Sequence, residues 1–544
     1  MRRAPRGSAV ALVVLALLAS CGTAQDIAGG PATTATTTGG QPAPPQPAPT
    51  QVPPSPAPSP TGTAPPAPDD TLPAGFGQGP PGRGLSRFYT QQVTWTDCGD
   101  GDTCASVWVP LDYAHPDGRA ITIKAKRQPA SGPGTKAGTL FINPGGPGGS
   151  GIDYLSYISL DASITDVYDV VGFDPRGVGQ STPVECLSDD ALDVYVASDP
   201  SPDTPEEISR MEQLWTEFTQ GCVAHSGPLL AHVSTIEAAR DMDILRAVVK
   251  DRTFNYYGAS YGTYLGATYA ALFPRRVHRM VLDGAIDPKA SPHTSEVHQA
   301  GGFQTALTAY LTDCVSSGNC PLGSTVPVAQ QQVIQLLASI DQHPLPTSLG
   351  RELTEGLAFL GFIVPLYSRA NWPYETQALE QALEGNGDTL LLLADQYTDR
   401  DAAGHYSDNA LEVQSAVNCL DHPEHESVAG LEAGKGAFLE ASPVFGPVAM
   451  WWPYACSNWP VRPSLPVPDY SAPGAPPIVV VGTTRDPATP YQQAVRLSQE
   501  LDSGVLLSRD GDGHTAYSSG NPCINDAVNT YLVSGKPPKS GTMC

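Results

Sequence analysis

The chain has 544 residues, with 30 basic against 55 acidic side chains and a formal net charge of −25. An acidic balance of that size argues against sequence-independent nucleic-acid binding, which needs a cationic face to displace counterions. Apolar residues make up 40%, enough for a sizeable core, while 54 glycines and 55 prolines exceed ordinary usage and are concentrated locally.

Residues 1–20 read as a signal peptide: Arg2, Arg3 and Arg6 precede an apolar run from Ala9 to Ala19. That run is short of the roughly 20 apolar residues that span a bilayer. The segment Leu18-Ala19-Ser20-Cys21 resembles a bacterial lipobox, so Cys21 is read as the lipidated new N-terminus, attaching the protein to the outer face of a membrane. An ordinary secretory signal with Cys21 as a bystander is the plainer alternative. From Cys21 to residue 85 the chain reads as a linker. Between Pro31 and Asp70, 14 of 40 positions are proline. Such a stretch buries too little apolar area to offset its ordering entropy and favours an extended spacer. Setting Cys21 aside from the eleven cysteines leaves ten, an even number suited to an oxidising compartment. Proximity in sequence pairs Cys98 with Cys104, Cys186 with Cys222, Cys314 with Cys320, Cys419 with Cys456, and Cys523 with Cys544.

From about residue 86 strand-like and helix-like segments alternate. Strands are predicted at 105–109, 121–125, 138–142, 168–173, 253–257, 279–282, 477–481 and 504–507, several as short apolar runs bounded by Gly or Pro. Helices are predicted at 234–249, with Ser234 as N-cap, and at 264–272. This rhythm implies an α/β protein with a mostly parallel, doubly wound sheet. It stops between 291 and 474, where the sequence looks mainly helical. The chain therefore divides into a first core part (86–290), an inserted cap (291–474) and a last core part (475–544).

The strongest chemical signal is Gly258-Ala259-Ser260-Tyr261-Gly262, entered from a strand and left through a helix. In such a nucleophile elbow the glycines relieve crowding in a tight turn and Ser260 is forced out at the carboxyl edge of the sheet. A serine hydroxyl is a poor nucleophile until a base takes its proton. His514, in the loop Gly511-Asp512-Gly513-His514-Thr515 after the last predicted strand, is the expected base. Asp486, after strand 477–481, is the favoured acid, with Asp283 at the end of the preceding strand as its rival. Asp510 and Asp512 read as solvated loop charges. An oxyanion needs preorganised N–H donors. Tyr261, directly after the nucleophile, supplies one. Gly145 or Gly146, in the run Asn143-Pro144-Gly145-Gly146-Pro147-Gly148-Gly149, supplies the other.

These motifs, together with Phe173-Asp174-Pro175-Arg176-Gly177-Val178-Gly179-Gln180-Ser181, resemble the α/β-hydrolase serine peptidases of the proline iminopeptidase class. The wider layout is similar to the secreted tripeptidyl aminopeptidases of actinobacteria. Val109-Pro110-Leu111-Asp112-Tyr113, Leu282-Asp283-Gly284, Ala416-Val417-Asn418-Cys419-Leu420-Asp421 and the final cysteine carry that likeness over about 88–544. Pro144 departs from the iminopeptidase pattern, which has His there.

The resemblance implies an extracytoplasmic α/β-hydrolase that releases short peptides, tripeptides by the likeness, from free N-termini through an acyl-enzyme, without cofactor or metal. Its substrate is a peptide or small ester. A carboxylesterase or lipase acting on envelope esters is the alternative enzyme, and a non-catalytic binding lipoprotein on the same scaffold is the alternative of another class. An exopeptidase needs an anion to pair with the substrate ammonium. The resemblance points to Asp421 in the cap, with Glu412 and Glu424 as further candidates. The nearby His422 and His425 lack a zinc-ligand spacing. Trp451, Trp452 and Tyr454 either line the cleft or pack the cap.

Overall fold

The computed structural model describes residues 75–423, 425–462 and 465–544. The leader, Cys21 and most of the linker lie outside the described residues. The linker ends earlier than its composition implies. Gly77 exchanges both backbone hydrogen bonds with Ala120, so the described residues 75–85 run against the folded body.

Ten strands form one sheet: β1 (Thr96–Gly99), β2 (Asp102–Pro110), β3 (Ala120–Gln128), β4 (Gly138–Asn143), β5 (Tyr168–Phe173), β6 (Phe254–Ala259), β7 (Val277–Asp283), β8 (Ile478–Arg485), β9 (Gly504–Asp512) and β10 (Thr542–Met543). Their order is β1-β2-β3-β5-β4-β6-β7-β8-β9-β10. The β1–β2, β2–β3 and β3–β5 pairs are antiparallel, and every later pair is parallel.

The apolar runs form strands because both faces of the sheet are covered. Phe141, Val171, Ile478 and Val480 enter one buried cluster, and their neighbours Leu140, Ile142, Val170, Val479 and Val481 enter another. Successive side chains of a strand point to opposite faces, so a continuous apolar run feeds two cores at once. Each such side chain contributes roughly 1.5–3 kcal/mol by its burial. The predicted helix at 234–249 is Thr235–Val248, and the Ser234 side chain accepts the N–H of Glu237 as its cap.

Between β7 and β8 the described residues fold as helices, from Pro292–Ser316 to Gly446–Ala449, with isolated bridges in place of strands. This insertion has its own buried cluster, including Phe303, Phe362, Phe445 and Trp451. The five disulfides join the cysteines paired in the sequence. No helix among the described residues is long and apolar enough to cross a membrane.

Candidate active site

Strand β6 delivers Ser260 to the carboxyl edge of the sheet, and the helix Tyr261–Leu272 leaves directly after it. Ser260 holds φ 55° and ψ −126°, a strained conformation that non-glycine residues adopt where surrounding structure enforces it. Two contacts enforce it here. The Ser260 N–H donates to the Asp283 carbonyl at 2.9 Å, and its own carbonyl accepts from the Thr263 N–H at 2.8 Å. The flanking glycines are required by space, because a Cβ at Gly258 would lie 2.3 Å from the Gly262 carbonyl oxygen.

His514 and Asp486 meet on the same edge. The His514 Nδ1 lies 2.8 and 3.0 Å from the two Asp486 carboxylate oxygens. Asp486 is buried and also accepts the N–H groups of Ala488 (3.0 Å), Thr489 (2.8 Å) and Thr515 (3.1 Å). A carboxylate so surrounded by donors is an acceptor, so Nδ1 carries the proton and Nε2 keeps its lone pair. Burial, the largest influence on His514, disfavours its charged form. The Asp486 charge and hydrogen bond outweigh it, so the imidazole pKa lies above its ordinary 6.5.

Asp283 does a different job from its rival. Its buried carboxylate accepts from Ala516 (3.0 Å), Tyr517 (2.8 Å) and the Tyr257 hydroxyl (3.0 Å). It thereby ties the loop after His514 to the strand whose carbonyl holds Ser260. A Cβ at the next residue, Gly284, would stand 3.2 Å from His514 Cε1, so the imidazole packs directly against that strand end. The insertion adds a further support that the sequence reading missed. The Tyr367 carbonyl accepts the His514 N–H at 2.8 Å, and its ring meets the imidazole edge-on at 5.5 Å.

The glycine run after β4 folds against the elbow. Gly145 has φ +102°, and a Cβ there would lie 2.6 Å from the Ala259 carbonyl oxygen and 2.8 Å from Ser260 Cβ. Of the two glycines proposed as donors, Gly145 gives its N–H to Asn143 Oδ1 at 3.0 Å. Gly146 is the one of the two whose N–H is not taken by that contact. The buried Asp174 anchors the neighbouring motif by accepting from Ser150, Ile152 and Gln180, and the buried Arg176 forks onto Asp241 at 2.7 Å through two nitrogens.

Other expected residues sit elsewhere. Asp421 accepts the Thr235 N–H (3.0 Å) and hydroxyl (2.5 Å), so its carboxylate ties the insertion to the start of a core helix. The Thr235 hydroxyl in turn meets the Tyr261 hydroxyl at 2.5 Å, which places Asp421 behind Tyr261. Burial raises the Asp421 carboxyl to about 7. Glu412 is occupied by the N–H groups of Cys186 and Leu187, and Glu424 lies outside the described residues. Trp451 and Tyr454 are buried in the insertion, where the Tyr454 hydroxyl donates to Glu212. His422 stacks on Tyr264. Asp510 and Asp512 are not merely solvated: both accept from Arg485, and Asp512 also from Arg369.

Residues 442–544 match the family model described as "TAP-like protein". Serine protease Hip1 of Mycobacterium tuberculosis is 38% identical over 480 residues, covering 84% of this chain and 91% of that protein. Carboxylesterase B of the same species is 39% identical over 502 residues, covering 88% and 94%. Tripeptidyl aminopeptidase of Streptomyces lividans is 31% identical over 468 residues, covering 83% and 86%. With the sheet order, the elbow and the helical insertion, these similarities make the chain a member of the TAP-like family of α/β-hydrolases.

Proposed function

We propose that the protein is a serine exopeptidase that releases short peptides, tripeptides in particular, from free N-termini. Ser260 attacks the scissile carbonyl while His514 Nε2 takes its proton. Asp486 orients the imidazole and stabilises the imidazolium. The N–H groups of Tyr261 and Gly146 receive the oxyanion, each such donor being worth about 2.7–4 kcal/mol in the transition state. The imidazolium then protonates the leaving amine, and water, activated by the same base, hydrolyses the acyl-enzyme. The observation that carries this reading is the Asp486–His514 pair, packed against the strand end that holds the strained Ser260.

The relatives named serine protease and tripeptidyl aminopeptidase support peptides as substrates. The helical insertion suits a cap that excludes folded proteins and admits chain ends. Five disulfides suit an oxidising compartment, and the lipobox at Cys21 gives it a membrane anchor. Carboxylesterase activity is the second reading, favoured by the 39% identity to Carboxylesterase B.

Mass spectrometry of a mixed peptide library separates the two. The exopeptidase releases short products from peptide N-termini, and Ser260→Ala releases none. An enzyme that cleaves simple esters but leaves every peptide intact is an esterase. A folded protein that turns over neither and takes no fluorophosphonate label is a binding protein.

A further inference from the structure

An enzyme that reads a free N-terminus must meet an ammonium with an anion, and the acids first considered for that task are committed elsewhere. Asp421 is held by Thr235, and Glu412 by two backbone amides. A different carboxylate fits. Glu296 lies on the first helix of the insertion, Pro292–Ser316. On a helix with 3.6 residues per turn it shares a face with Ala300, Phe303 and Leu307, all of them buried. An acid at the N-terminal end of an apolar face is the exception that needs an explanation.

The helix runs along the catalytic edge, and Phe303, on the Glu296 face, meets the residue that supports the base. One turn beyond Glu296, the Gln299 side chain donates to the Ala488 carbonyl at 2.9 Å. At Gly302 the helix is so close to the Asp486 loop that a Cβ would lie 2.5 Å from the Pro487 carbonyl oxygen and 3.1 Å from that of Asp486. Phe303 packs edge-on against Tyr367, the residue that holds the His514 backbone. On the other flank His293 packs against Phe438 of the helix Val428–Ala441. Glu296 thus lies near the start of a helix that bridges the acid loop and the other insertion helices, and it is partly open to solvent.

Among the described residues no donor and no cation meets its carboxylate. This sets it apart from Asp486, Asp283, Asp174, Asp241, Asp421 and Glu412, each of which is bonded. Leaving a desolvated carboxylate unpaired is costly, and a site that keeps one gains when a cation arrives to pair with it. Burial alone pushes Glu296 up to about 8, the direction a carboxyl takes when nothing positive faces it.

We infer that Glu296 is the specificity-determining anion that receives the N-terminal ammonium of the peptide substrate. The assignment rests on the exopeptidase reading above and names the residue that gives that reading its selectivity.

The test uses the full chain, a chromogenic tripeptidyl amide with a free amine, and the same compound N-acetylated. Wild type is expected to prefer the free amine. In Glu296→Gln, which keeps the shape and removes the charge, the ratio of kcat/KM for free over acetylated substrate falls about ten- to a hundredfold, chiefly through KM, as for a lost charge-assisted hydrogen bond. Glu296→Asp restores part of the ratio. A folded Glu296→Gln that keeps the wild-type ratio overturns the assignment and leaves the exopeptidase reading standing. A wild type that turns over both forms equally defeats that reading and the assignment with it. Should Glu296→Gln fail to fold, as judged by thermal melting, Glu296→Asp decides alone. Its carboxylate is withdrawn by one methylene, so KM for the free amine must rise, and an unchanged KM overturns the assignment.

Discussion

Two acids on the sheet edge, Asp486 and Asp283, and two acids of the helical insertion, Glu296 and Glu375, are treated in opposite ways. On the edge, Asp486 accepts three backbone N–H groups besides His514, and Asp283 accepts two backbone N–H groups and a tyrosine hydroxyl. In the insertion, Glu296 has no bonded partner among the described residues, and neither carboxylate oxygen of the fully buried Glu375 is hydrogen-bonded. A carboxylate surrounded by donors is fixed in place, and so can orient a base. One without donors is held protonated by burial until something brings it a positive charge. The first arrangement suits chemistry that must be preorganised, and the second suits recognition.

The largest effect is expected from removing the nucleophile. Ser260→Ala should lower kcat by about a millionfold, and combining it with His514→Ala should add little, because the two act as a unit. Additive losses in the double variant would separate them.

Asp486→Asn should cost about 10⁴ in kcat by presenting the wrong tautomer to Ser260. It should also move a pH profile. His514 must be neutral to act as a base, and its pKa is raised because Asp486 overrides the effect of burial. The acid limb of kcat/KM should therefore have its midpoint above 6.5 in wild type and fall to lower pH in Asp486→Asn. An unmoved limb would mean that Asp486 does not tune the base. Asp283→Asn should move that midpoint the same way but less, since the Asp283 charge ranks below Asp486 in raising His514, and should lower the melting temperature by disturbing a clamp on Ala516 and Tyr517.

Gly145→Ala places a Cβ against the elbow and should cost about 10²–10³ in kcat, the scale of a lost oxyanion donor. Wild-type kcat in this variant would show that the loop yields without disturbing Ser260.

How much of this was legible in the sequence follows the same division. β4 to β9 were readable as apolar runs because two cores flank them. β1, exposed at all four positions, and the two-residue β10 carry no such signal. The predicted ends of β8 and β9 fell short because Thr483–Arg485 and Ser508–Asp512 continue the ladder with polar residues. The elbow, the base loop and Asp486 were legible because glycines and chain order mark them. The engagement of the Gly145 N–H by Asn143 and the support of His514 by Tyr367 were not, since both depend on contacts with no local pattern. Glu296 did leave a trace, as an acid at 296 on the stripe continued by 300, 303 and 307, which period analysis of the insertion would have caught.

The smallest effect concerns stability against pH. Glu355, in the insertion beside Asp199, is pushed up to about 8, chiefly by burial, and Glu296 reaches about the same value. An acid whose folded pKa exceeds its unfolded value of 4.5 binds its proton more tightly when folded. Its contribution is complete below pH 4.5 and is lost as pH climbs towards 8. The raised His514 acts in the same direction, the lowered His278 and His298 oppose it near pH 6.5 but are outnumbered by the raised acids, and the lowered Asp112, Asp193 and Glu207 change protonation only below this window. The melting temperature should therefore fall between about pH 5 and 8, and Glu355→Gln should flatten part of that slope. A melting temperature that rises across the window would contradict it.

The central claim is that distant chain segments converge to make the Ser260 hydroxyl, and no other, the nucleophile. Fluorophosphonate treatment of the full chain, followed by peptide mapping, tests it most directly. The account predicts a single adduct on the peptide carrying Ser260, formed in wild type and sharply slowed in Asp486→Asn. An adduct on another residue, or none in folded protein, would contradict it.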